Sequence, residues 1–112
     1  MRLVENSISK ADLKKIAEGG FGDMVKAVVD VERGTMAIGA ELHADAEAYL
    51  LERGSQQPQL WGINLYPDKD LPDLVEFDSM INIRPSQGNR SRNVEDQAVR
   101  DRILAVVTRL VV

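Results

Sequence analysis

The stretch ELHADAE sets Glu41, His43, Asp45 and Glu47 within seven residues, around the single histidine of a 112-residue chain. An imidazole beside carboxylates suits proton transfer near neutral pH, or ligation of a metal ion. On a helix His43 and Glu47 stand at i, i+4 and share a face, whereas Asp45 lies about 200° round from His43. One helix can therefore bring two of these side chains to a common point, but not four. His43, Asp45 and Glu47 are the candidate acid/base residues. Asp68 and Asp70, beyond the next strand, are the carboxylates available to extend a metal site; neither a metal nor a cofactor is identified by the pattern. The plainer reading is an acidic first turn that complements the helix dipole, with a histidine beside it.

A second group lies in MINIRPSQGNRSRNVEDQ, residues 80–97. No acid occurs from Ser79 to Val94, although the chain holds 18 Asp and Glu and carries a formal net charge of −4. A Gly/Asn/Ser-rich loop leading into a helix offers free backbone N–H groups, and guanidinium groups grip phosphate or carboxylate at two points. Asn82, Arg84, Gly88, Asn89, Arg90 and Arg92 are the candidate anion-binding set. Against this, Glu95 and Asp96 are expected in the first helical turn, and neither GxxxxGK[ST] nor GxGxxG is present. The alternative is a loop whose arginines pair with Glu76, Asp78, Glu95 or Asp96 and have no ligand. The loop contains no aromatic residue on which a base could stack, and an acidic chain is poorly suited to nucleic acid.

The elements that must position these groups follow from patterning. Ser9 caps a first helix, with Asp12 three residues on and Ile8 and Leu13 at the staple positions; Gly19-Gly20 supplies a left-handed exit. Val25, Ala27, Val29 and Val31 alternate along a strand over residues 24–31, which turns at Gly34 into a second strand, TMAIG. A helix is expected over residues 40–53, ended by Gly54. LWGINLY (60–66) is apolar on both faces and reads as a central strand. Residues 74–84 alternate as a long strand, with a break at Asp78-Ser79 as an option. Asn93 caps the last helix, which carries the stripe Val99, Ile103, Val106, Val107, Leu110. The order is α-β-β-α-β-β-α, with an optional short strand at 2–5. The fold class is α+β (or α/β): a mixed sheet of four to five strands packed with three helices.

Length and 44% hydrophobic residues fit a single domain over 1–112. The absence of cysteine removes disulfides, thiolate nucleophiles and Cys-based zinc sites. No GxSxG elbow is present. Without a long apolar segment, no membrane association is expected and the chain is placed in the cytoplasm.

The pieces ELHADAEAYLLERGS, LWGINLYP and FDSMINIRPSQGNRSR resemble a family of small bacterial and archaeal proteins of unknown function, a resemblance that implies no activity. The order of elements is also similar to that of the zinc nucleoside deaminases. In that family a hairpin leads into a helix beginning His-x-Glu, and the next strand ends in Pro-Cys-x-x-Cys. Here the hairpin (24–39) leads into His43-Ala44-Asp45 and the strand ends at Tyr66-Pro67. Asp45 stands where the proton-shuttling glutamate would, Asp68 follows the proline, and the thiolates are missing. The likeness therefore implies architecture rather than zinc chemistry.

Two functions follow as expectations. One is a hydrolase-like or anion-binding domain for a phosphorylated or nucleotide-like small ligand, which requires the His43 region and the arginine loop to meet in space. The other is a structural or partner-binding protein, with homo-oligomerisation as one form, whose arginine loop is internally salt-bridged.

Overall fold

A computed structural model describes all residues, 1–112. Eight regular elements follow the chain: β1 (Arg2–Val4), α1 (Lys10–Glu18), β2 (Val25–Asp30), β3 (Thr35–Ile38), α2 (His43–Glu52), β4 (Leu60–Leu65), β5 (Val75–Glu76) and α3 (Gln97–Leu110). The strands form one sheet in the order β1-β3-β2-β4-β5, and every pairing within it is antiparallel. The fold is α+β, with the expected three helices and five strands, but the sheet is antiparallel throughout rather than mixed, because no helix joins neighbouring parallel strands.

Alternation on the two central strands sorts side chains between the faces. Val25, Ala27 and Val29 of β2 and Trp61, Ile63 and Leu65 of β4 join Leu13 and Ala17 of α1 and Ile103, Val107 and Leu110 of α3 in the main core. Val28 and Leu60 face the other way and pack with Ala46 and Leu50 of α2. β4 is buried along its whole length, as a strand apolar on both faces must be. The C-terminus closes onto the start of α1: the Ile8 amide donates to Leu110 O at 2.7 Å and the Val112 amide to Ile8 O at 3.0 Å.

Ser9 caps α1, its side chain accepting from the Asp12 amide at 3.0 Å. Three boundaries differ from expectation. Gly19 is right-handed at φ −80, and the left-handed exit falls to Gly22 at φ +99, whose amide reaches Ala17 O. α2 begins at His43 rather than at residue 40, with Leu42 as an N-cap that offers no side-chain acceptor. α3 is capped by Asp96, which accepts from the Ala98 amide at 2.9 Å, and not by Asn93. The Asn93 side chain is occupied elsewhere, because its Oδ1 accepts from the Val94 amide at 2.8 Å, ahead of the helix.

The long strand expected over 74–84 is the largest departure. Only Val75 and Glu76 pair with β4, opposite Leu65 and Asn64. The chain leaves the ladder after Glu76, and Ser79, whose hydroxyl accepts from the Ile81 amide at 3.3 Å, starts a 3-10 turn over Met80–Asn82. A second 3-10 turn, Pro85–Gln87, ends at Gly88 with φ +84, a left-handed position that favours glycine.

Candidate functional site

The outer edge of β4 beyond β5 carries backbone groups that a further strand would normally satisfy. Side chains satisfy them instead. Asn82 accepts from the Gly62 amide and donates back to the Gly62 carbonyl, both at 2.9 Å. Arg84 donates from Nη2 to the Leu60 carbonyl and from Nε to Ile81 O. Asn82 is fully buried and Arg84 nearly so. The Arg84 guanidinium also lies 4.7 Å from the Trp61 ring centroid, with Nη2 3.5 Å from Glu47 Oε2. Burial is the main cause that lowers its pKa, and the Glu47 carboxylate opposes the shift. Glu47 is thus the partner of a buried arginine, an acid that lay outside the expected pairing set.

The rest of the loop is also internally held. Asn89 donates to the carbonyls of Asn82, Ser91 and Asn93 and accepts from the Glu95 amide. The anion cradle expected between Gly88 and the last helix is filled by the protein's own carboxylate. Glu95 Oε2 accepts from the Arg90 amide at 2.7 Å, the Ser91 amide at 2.8 Å and the Ser91 hydroxyl at 2.9 Å. These bonds, the Ser91 hydroxyl first, lower the Glu95 pKa. Arg92 Nε meets Asp78 Oδ1 at 2.5 Å, while the Arg90 side chain makes no ion pair.

The two sequence constellations do meet, but at a different place. A cleft of about 180 Å³ opens between the start of α2 and the Ser79 turn, and its lining includes Lys26, Leu42, His43, Ser79, Met80 and Arg92. His43 Nε2 lies 2.8 Å from Ile63 O. A carbonyl oxygen only accepts, so Nε2 carries the hydrogen and Nδ1 keeps its lone pair. Burial lowers the His43 pKa; the Ile63 bond opposes that, and the nearby Lys26 charge reinforces it. The ring is therefore neutral at physiological pH.

Behind the cleft runs a polar row that sequence reasoning missed. Lys26, Asn64 and Glu76 are register partners across β2, β4 and β5 and so share the α2 face. Asn64 Nδ2 donates to Glu76 Oε1 at 2.8 Å, and the Tyr66 hydroxyl donates to the same oxygen at 3.1 Å. Asn64 Oδ1 is buried without a partner. The available signal was the placement of Lys26 and Asn64 within otherwise apolar strand sequences.

Asp45 is exposed and does not line the cleft. It is the residue that the deaminase likeness matches to a catalytic glutamate. Asp68 and Asp70 pair with Lys14 at 2.9 Å and Lys10 at 2.6 Å, on α1. No three His, Asp or Glu side chains are grouped as a cation site requires. No helix is long and apolar enough to cross a membrane.

The chain belongs to the family described as Protein of unknown function (DUF5674), whose model matches residues 2–110. No curated protein and no solved structure matches it.

Proposed function

We propose that this member of the DUF5674 family binds a small anionic ligand, phosphorylated or nucleotide-like, in the cleft between α2 and the Ser79 turn. The observation that carries the reading is the convergence of Lys26, His43 and Arg92, far apart in sequence, on one concave surface. Lys26 supplies an ammonium point charge. Arg92 engages Asp78 through Nε, which leaves its two terminal amino groups for a ligand oxygen. Ser79 lines the same cleft, but its hydroxyl is turned to the Ile81 amide and to Gly62, so it shapes the wall and makes no ligand contact.

If the ligand is also a substrate, His43 is the general base. Its neutral ring holds an unprotonated Nδ1, and the Ile63 carbonyl fixes the tautomer. Arg84 and Glu47 hold α2 beside the turn and take no part in binding on this reading. The loop around Gly88, Asn89 and Arg90 likewise supports the cleft rather than forming the site, because Glu95 already fills its N–H groups.

Isothermal titration with inorganic phosphate and with adenosine monophosphate tests the reading. Binding to at least one, weakened about tenfold or more in Lys26→Met, is the expected result, since one direct charge-assisted contact is worth roughly 1.5–3 kcal/mol. Absence of heat with either anion contradicts it.

A second reading is favoured by the braced loop: a partner-binding protein without catalysis. Leu42 and Met80, 60% and 64% exposed, rim the same cleft. Under that reading Leu42→Asp changes the species seen by light scattering, while anions have no effect.

A further inference from the structure

The anion cleft is small. At about 180 Å³ it falls below the roughly 300 Å³ at which small-molecule sites begin. It has room for an anionic group with little else attached. A second cleft, of about 300 Å³, lies beside it, between the end of α1, the loop into β2 and the link from β3 to α2. Lys26 lines both. The chain also passes directly from one to the other, since Ala40 and Glu41 line the larger cleft and Leu42 and His43 the smaller.

The larger cleft has a different chemistry. Ile16, Phe21 and Met24 give it an apolar side, and Lys15 and Lys26 bring two ammonium groups. Phe21 is 48% exposed, although a ring of that size gains from burial. Lys26 Nζ stands 5.2 Å from its ring centroid, within cation–π range. Lys26 therefore forms the border between an aromatic platform on one side and the His43 and Arg92 lining on the other.

We infer that the two clefts form one site for an anion joined to a flat, apolar or aromatic group. The anion sits against Lys26, His43 and Arg92, and the flat group lies on Phe21, Ile16 and Met24. This rests on the anion-binding reading above and narrows its ligand class: a free phosphate occupies only the smaller cleft, and an aryl phosphate or nucleoside monophosphate reaches both.

The test compares inorganic phosphate with phenyl phosphate by titration calorimetry, on the wild type, Phe21→Ala and Lys26→Met. Phe21 is exposed, so its truncation leaves the fold intact, and far-UV circular dichroism checks that. Phenyl phosphate should bind about tenfold more tightly than inorganic phosphate, as expected for one stacked ring. Phe21→Ala should abolish that advantage, bringing the ratio of the two affinities to about one, whatever change the lost Lys26 contact makes to inorganic phosphate itself. Lys26→Met should weaken both. Equal affinity for the two ligands, or an advantage that survives Phe21→Ala, overturns the joined site and leaves the anion-binding reading standing. Absence of binding by either ligand overturns both.

Discussion

The side chain of Asn82 hydrogen-bonds both backbone groups of Gly62, its carbonyl oxygen taking the amide hydrogen and its amide nitrogen serving the carbonyl, each at 2.9 Å. A planar amide thereby does for the edge of β4 what a neighbouring peptide would do in a continued ladder. The approach is close enough that a Cβ on Gly62 would lie 2.5 Å from the Ser79 side chain. Removing either half of this contact should be costly. Asn82→Ala leaves buried partners unpaired and should destabilise by roughly 1–3 kcal/mol for each group stranded. Gly62→Ala should cost about 1–3 kcal/mol through overpacking against Ser79. Urea unfolding midpoints measure both, and a wild-type midpoint in either variant contradicts the role assigned to that contact.

Arg84 and Glu47 tie the turn region to α2 in a mostly buried setting. Glu47 Oε2 and Arg84 Nη1 are sealed atoms without a hydrogen bond. Truncating one partner should therefore hurt more than replacing both. Arg84→Met alone should destabilise by roughly 3–5 kcal/mol, because it strands the carboxylate, and adding Glu47→Leu should recover part of that loss. A double-mutant cycle read by chemical denaturation gives the coupling, and simple additivity of the two changes argues against the pair.

His43 gives a pH dependence with a definite sign. Its folded-state pKa lies below the ordinary 6.5, mainly through burial. Between those two values the unfolded chain binds a proton that the folded chain refuses, so unfolding becomes easier as the pH falls. Stability should drop as the pH goes below about 6.5 and level off once the folded-state pKa is passed. His43→Gln should remove this component of the pH profile between pH 7 and 5. Thermal melts across that range decide it; an unchanged profile in the variant assigns the effect to other groups.

Much of the frame was legible in the sequence because it depends on local periodicity. The alternation of Val25, Ala27 and Val29, the doubly apolar β4 and the Ser9 cap of α1 each reflect a few neighbouring residues. The 74–84 segment failed for the opposite reason. Its alternation suits a strand, but Ser79 caps a turn, and the bonds that hold it there come from Gly62 and Arg92, distant in sequence. The same limit applied to the site. His43 and Arg92 were visible as chemical types, and Glu95 as a competitor for the loop, because its bonds to Arg90 and Ser91 span only a few residues; the pairing of Arg84 with Glu47 depends on tertiary placement. Lys26 and Asn64 were hidden within strands read only for their apolar faces.

Nuclear magnetic resonance can show whether Lys26, His43 and Arg92 share an anion site. Inorganic phosphate is titrated into uniformly 15N-labelled protein while backbone amides and the His43 ring nitrogens are followed. Saturable shifts centred on Lys26, His43, Ser79 and Arg92 are expected, with the amides of Arg90 and Ser91, held by Glu95, moving least within the loop. Shifts centred instead on those two amides, or spread without saturation over the surface lysines, would contradict the shared site.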